Sequence, residues 1–254
     1  MLCGGLRTKN STKQSLETMP LITVVTVVRN GEKTLEETIL SVINQTYTNI
    51  EYIIVDGAST DGTLDIIKKY EDLIDYWMSE PDEGIYDAMN KGIDLATGEW
   101  INFMNGGDCF YANSVIDKVI ASCHIDMDVF YGDIAINNMI YKSPERVNTL
   151  FFLMERTICH QLIFMRRSFL SKYPFDTQYR VVADRKSLMQ GYFCKRRIEH
   201  IPVVICLYDK TKGSATMDEF NADSYRLIYE YFGFPGVLFA KTKRLCRKLL
   251  DNLL

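Results

Sequence analysis

Two acidic residues, Asp56 and Asp108, each follow an apolar run that is typical of a buried strand. Residues 53–55 lead directly into Asp56, and residues 100–104 lead through a short polar turn into Asp108. The carboxyl ends of neighbouring parallel strands meet at one edge of an open α/β sheet, where such folds bind ligands. We therefore expect both carboxylates at the same edge of one sheet, where they can act on one ligand.

The apolar periodicity predicts which elements position these acids. Strands are expected at residues 21–28, 50–55, 76–79 and 100–104, and helices between them at 35–43, 63–70 and 84–96. After Asp108 we predict a helix at 113–121, short strands at 129–131 and 134–136, a hairpin through Asn137-Asn138 into 139–141, a strand at 162–165 beside the first set, a helix at 184–191, a strand at 201–208 and an amphipathic helix at 218–232. Alternating strands and helices favour an α/β fold with a mostly parallel central sheet flanked by helices.

Composition limits the class of protein. The 254 residues fit one large domain or one and a half, and 47% hydrophobic residues support a real core. A net charge of −4 argues against nucleic acid as a partner. Seven scattered cysteines indicate a reducing compartment, and the three histidines share no zinc-ligand spacing. With no apolar run of about eighteen residues and no apolar signal core, we expect a cytoplasmic protein.

The two ends of the chain differ from the middle. Residues 1–19 are mostly polar, and we predict a disordered leader, with Met19 as an alternative start of the protein. Five basic residues lie within 241–248, among apolar residues that continue to Leu254. A basic helix with an apolar face fits the surface of an anionic membrane. The segment 236–254 is therefore a candidate for peripheral membrane contact, and the alternative is a terminal helix that packs on the body.

Phosphate-binding motifs of the common kinds are missing from the sequence. No GxGxxG follows the first strand, which disfavours a dinucleotide dehydrogenase, and no GxxxxGK[ST] P-loop is present. The phosphates of a nucleotide would then need a divalent cation held by carboxylate oxygen, and Mg²⁺ or Mn²⁺ is the ion that such ligands prefer.

Several runs of residues together resemble a known family. They are residues 24–30 (VVTVVRN), 41–47 (SVINQTY), 51–63 (EYIIVDGASTDGT), 79–92 (SEPDEGIYDAMNKG) and 96–100 (ATGEW). In combination they are similar to the family 2 glycosyltransferases of the GT-A fold, and most similar to the bacterial branch that builds surface and capsular polysaccharides. The resemblance is dense over residues 21–112 and thinner over 158–216.

The resemblance implies an inverting transfer of a sugar from a nucleotide-diphosphate donor, with a UDP-sugar favoured, to a glycan or lipid-linked acceptor. It implies a GT-A domain at 20–216, with a nucleotide-binding half at 20–112 and an acceptor half at 113–216, followed by a C-terminal helical extension at 217–254. The place of action would be the inner face of the cell membrane. The sugar, the acceptor, the linkage and the oligomeric state stay open.

The resemblance also implies roles for three acids. Asp56 would contact the nucleoside base, because a carboxylate can accept a ring N–H; the alternative is a turn acid. Asp108 would be the metal ligand, as the last acid of a DxD-type motif whose first position is Gly106 here; the alternative is an aspartate that caps the next helix. Asp184 would be the catalytic base that takes the acceptor's proton. It too could be a helix-capping acid instead.

Further residues are implied on the donor and acceptor sides. His160 and Gln161 resemble a pair near the acceptor, although a lone histidine is often structural. The run Lys212-Gly213-Ser214 resembles the mobile loop that covers the donor in the family, and the alternative is a plain surface loop. The residues implied to bind the donor are Val28, Asn30, Asp56, Asp82, Asn90, Gly107, Asp108, Lys212 and Ser214. Asp82 and Asn90 could as easily cap or pair locally on their helix.

Two other functions remain open on the sequence. A nucleotidyltransferase uses a similar sheet, but the run Arg29-Asn30-Gly31-Glu32 is a poor version of the glycine-rich basic loop that such an enzyme would carry. A non-catalytic protein that binds sugar nucleotides would account for the missing acid at Gly106.

Overall fold

The chain forms one ten-stranded sheet with helices packed on it, in a computed structural model that describes residues 1–124, 126–137, 139–153, 157–208 and 216–251, with side chains up to residue 246. The strands are β1 (Leu2–Gly4), β2 (Ile22–Val28), β3 (Ile50–Asp56), β4 (Tyr76–Ser79), β5 (Trp100–Phe103), β6 (Cys109–Phe110), β7 (Val129–Ile136), β8 (Met139–Tyr141), β9 (Ile163–Arg166) and β10 (Ile198–Tyr208). The helices are α1 (Leu35–Ile43), α2 (Thr63–Lys69), α3 (Ile85–Leu95), α4 (Val115–Ala121), α5 (Thr149–Leu153), α6 (Arg167–Lys172), α7 (Ala183–Phe193) and α8 (Met217–Asp251).

The first half of the sheet is parallel, as predicted. Strands β4, β3, β2 and β5 lie side by side in that order, and Val28 at the end of β2 pairs with Asp56 at the end of β3. Every residue of β2 and β3 is buried, because helices cover both faces of the sheet. Each fully buried valine or isoleucine contributes about 1.5–3 kcal/mol, so these strands form a firm base for the loops that follow them.

The second half of the sheet is mixed. Strand β9 lies antiparallel between β5 and β7, β10 runs parallel to β7, and β6 closes the edge antiparallel to β10. The predicted strand at 162–165 is therefore confirmed beside the first set. The two short strands predicted at 129–131 and 134–136 are one continuous strand, β7, and its hairpin with β8 is confirmed.

The prediction of a disordered leader is wrong for residues 2–9. Strand β1 pairs antiparallel with β4 at the edge of the sheet, and a 3-10 turn follows it at Leu6–Lys9. The cause is electrostatic: Glu51 and Asp75 are buried, and the cations of Arg7 and Lys13 pair with them. Buried carboxylates need such partners, so a polar segment is held against the sheet.

The predicted C-terminal helical extension is present as helix α8, which continues past the amphipathic helix expected at 218–232 and has a kink. Gly233 adopts a left-handed φ of 61° with ψ of −163°, and Pro235 follows it inside the helix. The part before the kink packs on the body through Leu227 and Ile228, which are fully buried. The part after the kink contacts the first part, since Arg244 donates a hydrogen bond of 3.1 Å to the Tyr225 hydroxyl. In the described part of the chain, no helix is long and apolar enough to cross a membrane.

Candidate active site

A cavity of about 390 Å³ opens where the turn after β5, the segment before β9 and the start of α7 meet. It gathers five of the predicted site residues, which are Gly107, Asp108, His160, Gln161 and Asp184. They come from three separate parts of the chain, and the fold brings them to one place beyond the carboxyl end of β5. The cavity is thus the candidate active site.

The turn after β5 places Asp108 at the cavity. The Asp108 N–H donates to the Asn105 carbonyl at 2.8 Å, which closes the turn. Gly107 has a φ of 103°, a left-handed conformation that favours glycine, and its N–H donates to the Thr38 hydroxyl at 2.9 Å. The Gln161 amide donates to Asp108 Oδ2 at 2.9 Å. Asp108 and Gln161, which the sequence assigns to the metal and to the acceptor side, are therefore in direct contact.

Asp184 lies in the first turn of α7 and is only 5% exposed. Its Oδ1 accepts hydrogen bonds from the Arg185 N–H at 2.7 Å and from the Tyr86 hydroxyl at 3.1 Å. Burial, and then the charge and hydrogen bond of Asp184, raise the pKa of Tyr86 well above its usual value. Tyr86 therefore keeps its single hydroxyl proton, which the Val181 carbonyl at 2.8 Å and Asp184 Oδ1 at 3.1 Å share as acceptors.

His160 lies between Asp184 and Asn105. Its Nδ1 is 3.5 Å from Asp184 Oδ2, and its Nε2 is 2.8 Å from Asn105 Nδ2. With the Asn105 amide nitrogen as the donor in this contact, Nε2 accepts and the ring proton is on Nδ1, which faces Asp184. Asn105, His160 and Asp184 thus form one polar chain along the wall of the cavity.

A second group of predicted residues lies at the ends of β2 and β3, outside the lining of this cavity. Asp56 is fully buried, and its carboxylate accepts hydrogen bonds from the Ser59 N–H (3.0 Å), the Ser59 hydroxyl (2.5 Å) and the Ser79 hydroxyl (2.6 Å). Strand β2 separates β3 from β5, so the ends of β3 and β5 lie about 10 Å apart. The two acids are at the same edge of the sheet, as expected, but in separate surroundings.

Asp82 and Asn30 join the Asp56 group. A Cβ at Gly57 would lie 2.2 Å from Asp82 Oδ2, so the Asp82 carboxylate rests against the backbone that follows Asp56. The side-chain oxygen of Asn30 accepts the Thr60 N–H at 2.9 Å, and the Val28 carbonyl accepts the Gly57 N–H at 2.9 Å. These contacts connect the two loops and form one polar surface at the ends of β2 and β3.

Asn90 belongs to neither group. Its side-chain amide donates to the Phe175 carbonyl at 2.8 Å and accepts from the Phe175 N–H at 3.0 Å. The amide thus connects α3 to the segment before α7, and a contact of Asn90 with the donor stays a prediction. Lys212 and Ser214 lie outside the described residues.

The glycine at position 106 has a packing reason. A Cβ there would lie 2.8 Å from Val28 Cγ2 and 3.1 Å from Val28 Cβ, closer than real Cβ contacts come. An aspartate at this position would have to displace a stiff β-branched side chain on the end of β2. The close packing against Val28 therefore favours glycine at the position where the DxD-type pattern has its first acid.

The residues around Asp108 offer oxygen ligands to a divalent cation. Asn105 Oδ1 and Gln161 Oε1 are buried and have no hydrogen-bond partner among the described residues. Burial, with the charges of Asp184 and Asp108, raises the pKa of the Cys159 thiol to about 12, so a thiolate does not compete. Within the described ranges, no three His, Cys, Asp or Glu side chains cluster as metal ligands. These residue types fit Mg²⁺ or Mn²⁺, since such an ion takes one or two carboxylates from the protein. Its remaining ligands would be water and phosphate oxygens.

Two residues of the site were missed on the sequence. Tyr86 is not among the predicted site residues, but its hydroxyl contacts Asp184. Asn105 is predicted only as part of the turn before Asp108, but it contacts His160. The available signal was their place in the sequence, since Tyr86 lies inside the run 79–92 that carries the resemblance and Asn105 lies in the turn that leads to Asp108.

Comparisons with known proteins point to one family. The family model described as "Glycosyl transferase family 2" matches residues 23–188. A PGL/p-HBAD biosynthesis glycosyltransferase of Mycobacterium bovis is 35% identical over 173 residues, which cover 65% of this chain and 67% of that protein. Residues 1–349 of S. aureus TarS, in complex with UDP-GlcNAc, superpose with a TM-score of 0.66 at 17% identity, over 87% of this chain and 70% of that one. The mannosyltransferase PcManGT of Pyrobaculum calidifontis, in complex with GDP-Man and Mn²⁺, superposes with a TM-score of 0.58 at 17% identity, over 97% and 85%.

Proposed function

The chain belongs to glycosyl transferase family 2 and is a glycosyltransferase with a GT-A-like fold, and from this premise we propose the reaction that it performs. It transfers a sugar from a nucleoside-diphosphate donor, with a UDP-sugar favoured, to a hydroxyl of a glycan or lipid-linked acceptor, with inversion. The product belongs to polysaccharide biosynthesis. One observation carries the proposal: Asp108 and Asp184, from distant parts of the chain, line the same cavity.

Asp184 is the proposed general base. Its Oδ1 already accepts two hydrogen bonds, so Oδ2 is the oxygen that takes the proton from the acceptor hydroxyl. The acceptor oxygen bonds to the anomeric carbon as the bond from that carbon to the diphosphate oxygen breaks. The electron pair of the broken bond leaves with the nucleoside diphosphate. His160 Nδ1, which faces Oδ2, orients the carboxylate for this step.

Asp108 is the proposed protein ligand of Mg²⁺ or Mn²⁺. When bound, the cation offsets the negative charge that develops on the leaving diphosphate. Gln161 holds the Asp108 carboxylate in place through its amide, and Asn105 and Gln161 add uncharged oxygens nearby. The complex of PcManGT with GDP-Man and Mn²⁺ supports a nucleotide-sugar donor together with a divalent cation.

The nucleoside base is proposed to bind at the ends of β2 and β3, with Asp56 as its acceptor of a ring N–H. The serines at 59 and 79 occupy the Asp56 carboxylate. The contact therefore requires the Ser59 side chain to rotate about its Cα–Cβ bond. Asp82 and Asn30 border the same place, and Val28 joins it to the turn at Gly106. The complexes of TarS with UDP and UDP-GlcNAc support a uridine donor.

The acceptor is proposed to reach Asp184 from the side of α3. A second cavity of about 250 Å³ shares Tyr86, Arg180 and Val181 with the first and extends past Glu83 and Asp87. A hydroxyl-rich acceptor can donate hydrogen bonds to these carboxylates.

Peripheral contact with the inner face of the cell membrane is proposed for α8 beyond its kink. Phe234, Leu238, Phe239 and Leu245 are exposed there, and Lys241, Lys243 and Arg244 accompany them. Apolar insertion and attraction to anionic lipid would act together on such a surface. The proposal would place the cavity next to a lipid-linked acceptor.

Lys212 and Ser214 stay predicted donor contacts.

The test uses the full chain with UDP-GlcNAc, UDP-glucose and UDP-galactose as probe donors and measures UDP release with Mn²⁺ or with EDTA. Asp184→Asn should bind UDP normally and lose turnover by about 10²–10⁴-fold, the scale of a general base. Asp108→Ala should lose the dependence on Mn²⁺ together with turnover. Asp218→Asn, an exposed acid at the start of α8, is the matched control. Wild-type turnover in Asp184→Asn would contradict the base, and no UDP release from any probe by the wild type would contradict the uridine donor.

A further inference from the structure

The first part of α8 contacts the segment that carries Asp184. We name residues 176–186 the base segment. Four residues at helical spacing, Glu219, Asp223, Arg226 and Glu230, lie on one face of α8 and all reach it. This face is polar, so its contacts are hydrogen bonds and ion pairs with defined geometry.

The central contact is between Asp223 and the backbone of Val181. Asp223 Oδ2 accepts the Val181 N–H at 2.9 Å, and Asp223 is partly buried. On the other side of the same residue, the Tyr86 hydroxyl donates to the Val181 carbonyl at 2.8 Å. Helix α3 thus contacts the carbonyl of Val181, and helix α8 contacts its N–H. The same Tyr86 hydroxyl also contacts Asp184 Oδ1.

The position of Val181 sets the start of α7. Val182 is the N-cap residue, and its carbonyl accepts the Lys186 N–H at 3.0 Å in the first turn. Asp184 is the second residue of the helix, so its carboxylate moves with that turn. A displacement of Val181 therefore becomes a displacement of the carboxylate.

Two further contacts hold the base segment against α8. The Tyr179 hydroxyl donates to Glu230 Oε2 at 2.6 Å, and the Lys186 ammonium lies 2.8 Å from Glu230 Oε1 and 2.8 Å from Asp176 Oδ2. Burial opposes the charge of Lys186, but hydrogen bonds and charges of Asp176 and Glu230 raise its pKa. Lys186 therefore stays a cation and links the two ends of the base segment to the helix.

We propose that Asp223 on α8 is a positioning residue for the transfer reaction, which holds the Val181 backbone so that Asp184 points at the acceptor hydroxyl. This inference rests on the proposed role of Asp184 as the base. Asp223 lies outside the residues that match the family model, 23–188, and it acts through the backbone of the base segment rather than on the substrate.

The accepting oxygen of Asp223, rather than its charge, carries this role. Asparagine at 223 keeps a side-chain oxygen at the same reach, whereas alanine removes it. A catalytic group displaced by about 1 Å can cost about 10²-fold in rate. We therefore expect Asp223→Ala to lower kcat by about 10–100-fold with the donor KM unchanged, and Asp223→Asn to stay within about three-fold of wild type.

The experiment compares Asp223→Ala and Asp223→Asn with Asp218→Ala, an exposed acid of the same helix, as the control. UDP release from the best of the three probe donors gives kcat and KM, and calorimetry with UDP and Mn²⁺ confirms a folded donor site. Hydrogen exchange of the peptide that spans Val181 should become faster in Asp223→Ala and remain slow in Asp223→Asn. Tyr179→Phe, which removes the contact with Glu230, is the second variant if Asp223→Ala does not fold, and it should lower kcat at constant KM.

Three results would overturn the inference. They are a wild-type kcat in Asp223→Ala, an equal loss in Asp223→Asn and Asp223→Ala, and a wild-type kcat in Tyr179→Phe when that variant is the one measured. Asp184→Asn is assayed in the same series to separate the two proposals. Retained turnover in Asp184→Asn refutes the base itself, whereas an inactive Asp184→Asn beside a fully active Asp223→Ala refutes only the positioning role.

Discussion

Replacing Arg7 with methionine should destabilise the fold by about 3 kcal/mol, although Arg7 lies in a segment with no place in the reaction. Its guanidinium pairs with Glu51, whose side chain is 2% exposed, and also donates to the Leu95 carbonyl at 2.8 Å. Removing one partner of a buried pair costs about 3–5 kcal/mol, and the 18% exposure of Arg7 places the cost near the lower end. Methionine keeps the apolar stem, so the change isolates the charge and its hydrogen bonds.

The assay is urea unfolding at pH 7 followed by circular dichroism, with thermal unfolding as a second readout. A loss of about 3 kcal/mol corresponds to about 6–12 °C in Tm for a chain of this size. Glu51→Gln in the Arg7→Met background should recover part of the loss, because it removes the unpaired charge. Lys9→Met, which breaks an exposed pair with Asp72, is the control and should change little. A stability within about 0.5 kcal/mol of wild type would refute the reasoning, since that is the size of an ordinary surface substitution.

The pH dependence gives the same prediction a second measurement. Burial works against the charge of Glu51, but hydrogen bonds from Thr23, Thr97 and Arg7 lower its pKa overall. A lowered pKa in the folded state stabilises the fold above the unfolded value, which is about 4.3, and this contribution disappears as the pH falls through the folded pKa. Without Arg7 the folded pKa rises, so the acid-side loss of stability should begin at a higher pH. An unchanged acid limb in Arg7→Met would contradict the pairing.

Two further predictions concern the turn at Gly106 and the end of α8. Gly106→Asp restores the acid pair of the DxD-type pattern in the sequence. It should nevertheless destabilise the fold by about 1–3 kcal/mol, because its Cβ would meet Val28 Cγ2. Urea unfolding measures this loss, and an unchanged midpoint would contradict it. The double variant Leu238→Glu, Phe239→Glu should reduce co-sedimentation with vesicles that contain anionic phosphatidylglycerol. The control Leu73→Glu changes an exposed leucine elsewhere and should not reduce it. Equal binding of the double variant and the control would count against the membrane surface.

The strands and helices of the first half could be predicted from the sequence because their signal is local. The β-branched runs of β2 and β3 and the apolar spacing of α1 depend on neighbours within one element. The rule for the ends of parallel strands predicts Asp56 and Asp108 at one edge of the sheet, whereas the role of Asp184 follows from the family resemblance alone. Residue types and spacing did not predict that Asp108 shares its cavity with Asp184 rather than with Asp56.

The role of Asn90 could not be predicted, because its partner is distant in the sequence. An asparagine inside a helix near the donor half suggests a ligand contact, yet its amide bonds to the backbone of Phe175, 85 residues away. The reason for the glycine at position 106 could not be predicted either, because it too depends on a residue that is distant in the sequence. A missing acid suggests a weaker metal site, whereas the structure shows contact with the Val28 side chain, which no local pattern records.

Segments outside the family match supply charges that groups inside it require. Arg7 and Lys13 pair with Glu51 and Asp75 beneath the sheet, and Asp223 accepts the Val181 N–H beside the cavity. The matched region, 23–188, keeps hydrogen bonds to these carboxylates but lacks their cations, and it also lacks the carboxylate that accepts the Val181 N–H. A buried charge without its partner costs more free energy than most single core contacts contribute. Residues 1–19 and α8 therefore belong to the folding unit that contains the cavity. A domain boundary drawn at residue 19 would remove Arg7 and Lys13 from Glu51 and Asp75.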